Sequence, residues 1–101
     1  MSSEIHVNDV GTRFLATIKD NGLAVNISNA SQVQMIFRRP NDDVFYRVGS
    51  LLNSGINGQV YYDTVAGDLV DVGMHKLQAK VYLPSGTYYT DIYSFQVHCN
   101  L

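Results

Sequence analysis

Between residues 74 and 83 the chain alternates without a slip: His75, Leu77, Ala79, Val81 and Leu83 fall on one parity, Met74, Lys76, Gln78, Lys80 and Tyr82 on the other. Side chains repeat every second residue along a strand, so this pattern gives an extended segment one apolar face and would scatter the same residues around a helix. Gln32 to Arg38 repeats the pattern, with Val33, Met35 and Phe37 opposite Gln34, Ile36 and Arg38, and Pro40-Asn41-Asp42-Asp43 stops it. Pro40 cannot donate to a ladder and suits a strand end. About seven such segments, broken by turn residues at roughly 8 to 15 residue intervals, predict an all-β sandwich or barrel. No helix of ordinary length is expected.

The connections read as antiparallel. Segments near 4–9 and 12–20 join at Asp9-Val10-Gly11, and the second places Phe14, Ala16 and Ile18 opposite Arg13, Thr17 and Lys19 before Asp20-Asn21-Gly22 ends it with strong turn chemistry. Val44 to Val48 would pair with the strand before it. A loop over 49–58 leads into Gln59 to Asp63. Residues 64–72 fit either one helical turn or a crossing between two sheets, and we favour the crossing. After the turn Pro84-Ser85-Gly86-Thr87, a strand over 88–98 would carry Tyr89, Tyr93, Phe95 and Val97 on one face and Tyr88, Thr90, Ile92, Ser94 and Gln96 on the other.

With 101 residues, 46% apolar and 16% charged, the chain is expected to form one domain over 1–101 with a real core. The net charge is −2 and the only adjacent basic pair is Arg38-Arg39. No phosphate-tracking stripe is visible, and direct nucleic-acid binding is not expected. The Arg38-Arg39 pair reads as a solvated strand end or as a docking point for an acidic neighbour. No apolar run approaches the ~20 residues that cross a bilayer, and Met1-Ser2-Ser3-Glu4-Ile5-His6 lacks the features of a signal peptide. Synthesis in the cytoplasm is expected, and the acceptor patterns at Asn26 and Asn29 are then coincidental. Cys99, the single cysteine, is a spectator thiol, so packing alone must hold the sheets together.

The chain contains no nucleophile elbow, phosphate loop, zinc-protease helix or calcium loop. His6, His75 and His98 lie far apart in sequence, so only the fold could assemble them into a triad or a metal site, and His75 suits a corner where its ring is hydrogen-bonded. Asp42, Asp43, Asp63, Asp68 and Asp71 read as solvated turn carboxylates. The expectation is a non-enzymatic protein with no cofactor and no metal. Low charge with seven tyrosines suits packing against neighbours. Tyr61, Tyr62, Tyr88, Tyr89 and Ile92 are the candidate protein-interface residues.

Two stretches carry a family resemblance. Residues 17–30, with Asp20-Asn21-Gly22 and Val25-Asn26-Ile27-Ser28-Asn29-Ala30, are followed by the alternating strand that ends in Arg38-Arg39-Pro40. Residues 72–87 form a strand after Gly73 and a turn before the last strand. Together they resemble the N-terminal immunoglobulin-like domain of phage baseplate upper proteins, although His75 stands where that family often carries tyrosine. The resemblance implies an immunoglobulin-like antiparallel β-sandwich and a structural role in a tailed phage particle. Because the family continues into a fibre-forming region that is missing here, an adaptor or decoration subunit is implied. It would sit in the virion, at the tail or baseplate rather than the head, with other virion proteins and copies of itself as partners. The competing reading is a free-standing carbohydrate- or cell-surface-binding module in which Tyr61, Tyr62, Tyr88 and Tyr89 line a groove.

Overall fold

A computed structural model describes residues 5–99. In chain order the strands are β1 (Ile5–His6), β2 (Arg13–Thr17), β3 (Lys19–Asp20), β4 (Leu23–Ala24), β5 (Gln32–Arg38), β6 (Val44–Val48), β7 (Ser50–Leu51), β8 (Gln59–Asp63), β9 (Gly73–Leu83), β10 (Gly86–Tyr89) and β11 (Tyr93–His98). The only helical element among the described residues is a short turn at Leu52–Gly55, where Asn53 and Ser54 take positive φ. The chain is therefore all-β, as its alternation predicts.

β9 organises the larger sheet, whose order is β1-β11-β9-β5-β6, with β10 also paired to β9. One edge of β9 is covered by β5, while the other is shared by β11 over its first half and β10 over its second. The smaller sheet has the order β2-β8-β7, and β3-β4 forms a separate hairpin. Asp20 pairs with Leu23, leaving Asn21 and Gly22 as a two-residue loop with φ of 52° and 81°. Positive φ at both positions is the mirror-image turn that matches strand twist, and Asn-Gly is its preferred sequence.

After β5 the chain changes sheets twice. Residues 64–72 carry it from β8 to β9 as the expected crossing, with no helical turn. Gly49 carries it from β6 to β7, and a Cβ there would lie 2.8 Å from Val33 Cγ1. Only glycine lets the backbone turn so close to the core.

Side chains of both sheets meet in one buried cluster: Ala16, Val60 and Tyr62 from the smaller, and Val33, Met35, Phe37, Leu77, Ala79 and Val81 from the larger, with Ile18 and Ile27 from the connecting segments. Phe37 lies at its centre, stacked on Phe45 at 4.9 Å and edge-on to Phe14 at 5.7 Å, with Tyr62 and Phe95 close by.

Apart from β1, which runs parallel to β11 in the larger sheet instead of joining β2 in an antiparallel connection, two expectations are overturned. The last strand is not continuous: Tyr89 pairs with Lys80 and Tyr93 with Leu77, four steps on one strand against three on the other. The extra residue is a bulge that reverses the facing of everything before it. Tyr88 turns inward with Phe95 and Val97, and Tyr89 turns out. Thr90 pins the bulge with its backbone and its side chain: the Ala79 N–H donates to Thr90 Oγ1, the Ala79 carbonyl accepts from Thr90 N, and Gln78 Nε2 donates to the Thr90 carbonyl.

Asp68 is the second correction, because it is fully buried rather than solvated. Its carboxylate accepts from the Tyr62 hydroxyl, the Val65 N–H and Arg47 Nε at 2.8 Å. A charge removed from water must be compensated by partners of this kind, and here they tie the 64–72 crossing to β8 and β6.

Replacing Asp68 by Asn should leave donors facing donors and destabilise the fold by about 2–4 kcal/mol in a urea titration. Burial, reinforced by Asp68, pushes the Tyr62 hydroxyl up from 10.0 to about 12. The unfolded chain then loses this proton first, so stability should fall from pH 10 to 12. The Tyr62→Phe variant should show a shallower fall over that window in the same assay.

Candidate functional site

The inward faces of the strands are used up by the core, and the chemistry left over lies on the outer face of the larger sheet. In β6 the alternation turns Phe45 and Arg47 inward and Val44, Tyr46 and Val48 outward, Val48 being 73% exposed. β9 adds Met74, Lys76, Gln78, Lys80 and Tyr82; β5 adds Gln34, Ile36 and Arg38. The bulge after Thr90 adds Ile92, 62% exposed. A row of apolar residues this open on a sheet face marks a surface suited to contact.

Ile36, Arg38, Val44, Tyr46, Lys76, Gln78 and Ile92 line a shallow hollow of about 260 Å³ with Leu77 at its floor. A second, smaller hollow of about 70 Å³ lies between Thr17, Lys19, Tyr89, Asp91 and Tyr93. Further along the sheet, the Lys80 ammonium lies over the Tyr82 ring at 4.9 Å and the Tyr89 ring at 5.4 Å. Hydrogen bonding to the two tyrosines holds its pKa above the ordinary value.

β6 is also the edge of the sheet. Arg39 N donates to Asp43 O and Gly49 N to Val33 O, so the odd-numbered positions of this strand bond to β5. The backbone groups of Val44, Tyr46 and Val48 therefore point away from the sheet. Arg47 Nη1 donates to the Tyr46 carbonyl. No proline or outward lysine blunts this edge, the usual means of preventing a further strand from pairing.

The five candidate contact residues are not brought together. Tyr89 and Ile92 lie on the outer side of the larger sheet's last strand region, and Tyr61 lies on the outer face of the smaller sheet beneath the Arg13 guanidinium at 4.3 Å. Tyr62 is buried on Asp68 and offers no surface, and Tyr88 is partly buried, its side chain packed against the core. A single groove lined by Tyr61, Tyr62, Tyr88 and Tyr89 does not exist. Sequence reasoning missed Tyr46 and Val48, which a parity count along 44–48 would have placed outward once Phe45 was assigned to the core.

Arg38 and Arg39 part company as successive strand residues do. Arg39 lies over Phe45 at 4.4 Å and donates to the Gly67 carbonyl, while Arg38 faces outward. Among the described residues no cluster of three or more His, Cys, Asp or Glu is placed to hold a metal, and no helix is long and apolar enough to cross a membrane. Cys99 is exposed. No family model, curated protein or solved structure matches this chain.

His75 does not sit at a corner: it lies within β9 opposite Phe95, and its buried Nε2 has no hydrogen-bond partner. It is fully buried, its Nδ1 lies 3.2 Å from the Gly73 carbonyl and its ring stacks on Phe95 at 5.2 Å. Desolvation holds its pKa below the ordinary 6.5, against a weaker upward pull from the Gly73 carbonyl. On acidification the unfolded chain takes up this proton first, so stability present above pH 6.5 drains away below it. Thermal melts between pH 7 and 5 should show a falling midpoint for the wild type and a flatter one for His75→Leu.

Proposed function

We propose that this chain is an immunoglobulin-like β-sandwich that works by docking on other proteins, as an adaptor or decoration subunit of the tail or baseplate of a tailed phage. The strand order supports the fold: β1, β10/β11, β9, β5 and β6 in one sheet against β2, β8 and β7 in the other follow the arrangement of immunoglobulin-like domains whose larger sheet carries an extra edge strand. The phage role rests on the resemblance in residues 17–40 and 72–87.

The observation that carries the docking reading is the β6 side of the larger sheet. Val44, Tyr46 and Val48 expose apolar side chains, and the same residues present their backbone groups outward. A partner strand would satisfy the groups left open beside the Tyr46 carbonyl, which already accepts from Arg47 Nη1, and the apolar row next to them supplies the anchors that give such contacts their affinity.

Light scattering of the purified protein, with and without the tail and baseplate proteins, tests this directly. The wild type should join complexes far heavier than itself only when those proteins are present. Ile92→Ala and Tyr46→Ala should weaken that association about tenfold or more while leaving the thermal midpoint nearly unchanged. A wild-type mass unaffected by the added proteins would count against the role, and normal association of both variants against this face.

A further inference from the structure

Arg38 of β5 and Lys76 of β9 are direct cross-strand partners on the exposed face. Like charges placed opposite one another on a sheet repel, and side chains at such positions are roughly 5 Å apart at their Cβ atoms. Elsewhere each described arginine has a carboxylate nearby: Arg13 pairs with Asp63 at 2.8 Å, Arg47 with Asp68 at 2.8 Å, and Arg39 lies 3.9 Å from Asp71. Arg38 is the exception among the described arginines, and neither it nor Lys76 has a carboxylate partner there.

The surroundings point the same way. No residue lining the hollow between Arg38 and Lys76 is acidic. The outward positions of the strands around it include a third cation, Lys80, and no carboxylate. Asp91, close in sequence to Ile92, lines the other hollow beside Lys19. On a chain of net charge −2, this face is a local island of positive charge with apolar walls. Two cations converging on one opening form a seat for a carboxylate, which each can meet with a charge-assisted hydrogen bond.

We propose that the hollow bounded by Ile36, Arg38, Tyr46, Lys76 and Ile92 is an acidic-peptide site, in which Arg38 and Lys76 together receive an Asp or Glu side chain of a protein partner. The inference rests on the docking reading above and specifies the chemistry of the partner. Ile36, Tyr46 and Ile92 provide apolar contact beside the carboxylate, and Gln78, tethered to the Thr90 carbonyl, fixes the rim next to the bulge. The repulsion between the two cations is relieved only when the anion is present.

The probe is a capped hexaglutamate peptide titrated into isotope-labelled protein and followed residue by residue in amide NMR spectra. Saturable shifts should concentrate at Ile36, Arg38, Tyr46, Lys76, Gln78 and Ile92, weaken as salt is raised, and be missing with hexaglutamine. The Arg38→Gln/Lys76→Gln double variant should bind hexaglutamate at least tenfold more weakly while its thermal midpoint stays level or rises by a few degrees, since a repulsive pair has been removed. Unchanged binding by the double variant, or shifts centred elsewhere, would falsify the site. Saturation by oligosialic acid with no response to hexaglutamate would overturn the peptide assignment in favour of an acidic glycan.

The same double variant separates this inference from the docking reading. If the wild type joins tail and baseplate proteins and the double variant joins them equally well, docking stands and the carboxylate site falls. If the wild type joins nothing, the docking reading itself has failed.

Discussion

Phe37 is the point at which the two main sheets are joined. Its ring meets Phe14 and Tyr62 from the smaller sheet, and Phe45 and Phe95 from its own. No disulfide crosses this core, since Cys99 is the single cysteine and lies exposed, so burial and ring packing must carry the cohesion between layers. A buried aromatic of this kind typically contributes about 3–5 kcal/mol, a large part of a small domain's margin. The Arg47–Asp68–Tyr62 group stands next to it and fixes the 64–72 crossing over the same end of the core. Apolar cohesion and a buried charge thus hold together the region from which β6 and its outward row are presented.

Much of this was legible in the sequence because alternation reports directly which side chains share a face. The inward sets Val33-Met35-Phe37 and Leu77-Ala79-Val81 were readable without structure, as was the Asn21-Gly22 turn. The bulge at Thr90 was not, because parity reading assumes an unbroken ladder and one inserted residue inverts every assignment upstream of it. Asp91, a poor strand former in the middle of the run, was the available warning. Asp68 was hidden for a different reason: its burial depends on Arg47 and Tyr62, which are remote in sequence and brought together only by the fold. Ile27, fully buried in a segment without periodicity, belongs to the same class.

The candidate surface was half legible for the same physical reasons. Ile92 was identified and Tyr46 was not, while Tyr62 and Tyr88 were assigned to the exterior though tertiary packing draws them in. Tyrosine serves both environments, and composition alone does not separate them. Core positions are constrained by volume and polarity. The outer positions of the larger sheet are free of both demands, which makes the unneutralised Arg38 and Lys76, and the apolar row of β6, more informative than equal numbers of residues within the core.

β1 runs parallel to β11, with Ile5 beside Val97 and His6 beside His98, and the Val7 N–H continues the ladder to the His98 carbonyl. The chain therefore enters and leaves this pair at opposite ends of the same line. Tension applied between the two ends would slide one strand along the other, so that the hydrogen bonds between them share the load instead of opening one after another. Geometry alone thus sets this seam to resist pulling in shear, a mechanical property separate from the thermodynamic stability of the core.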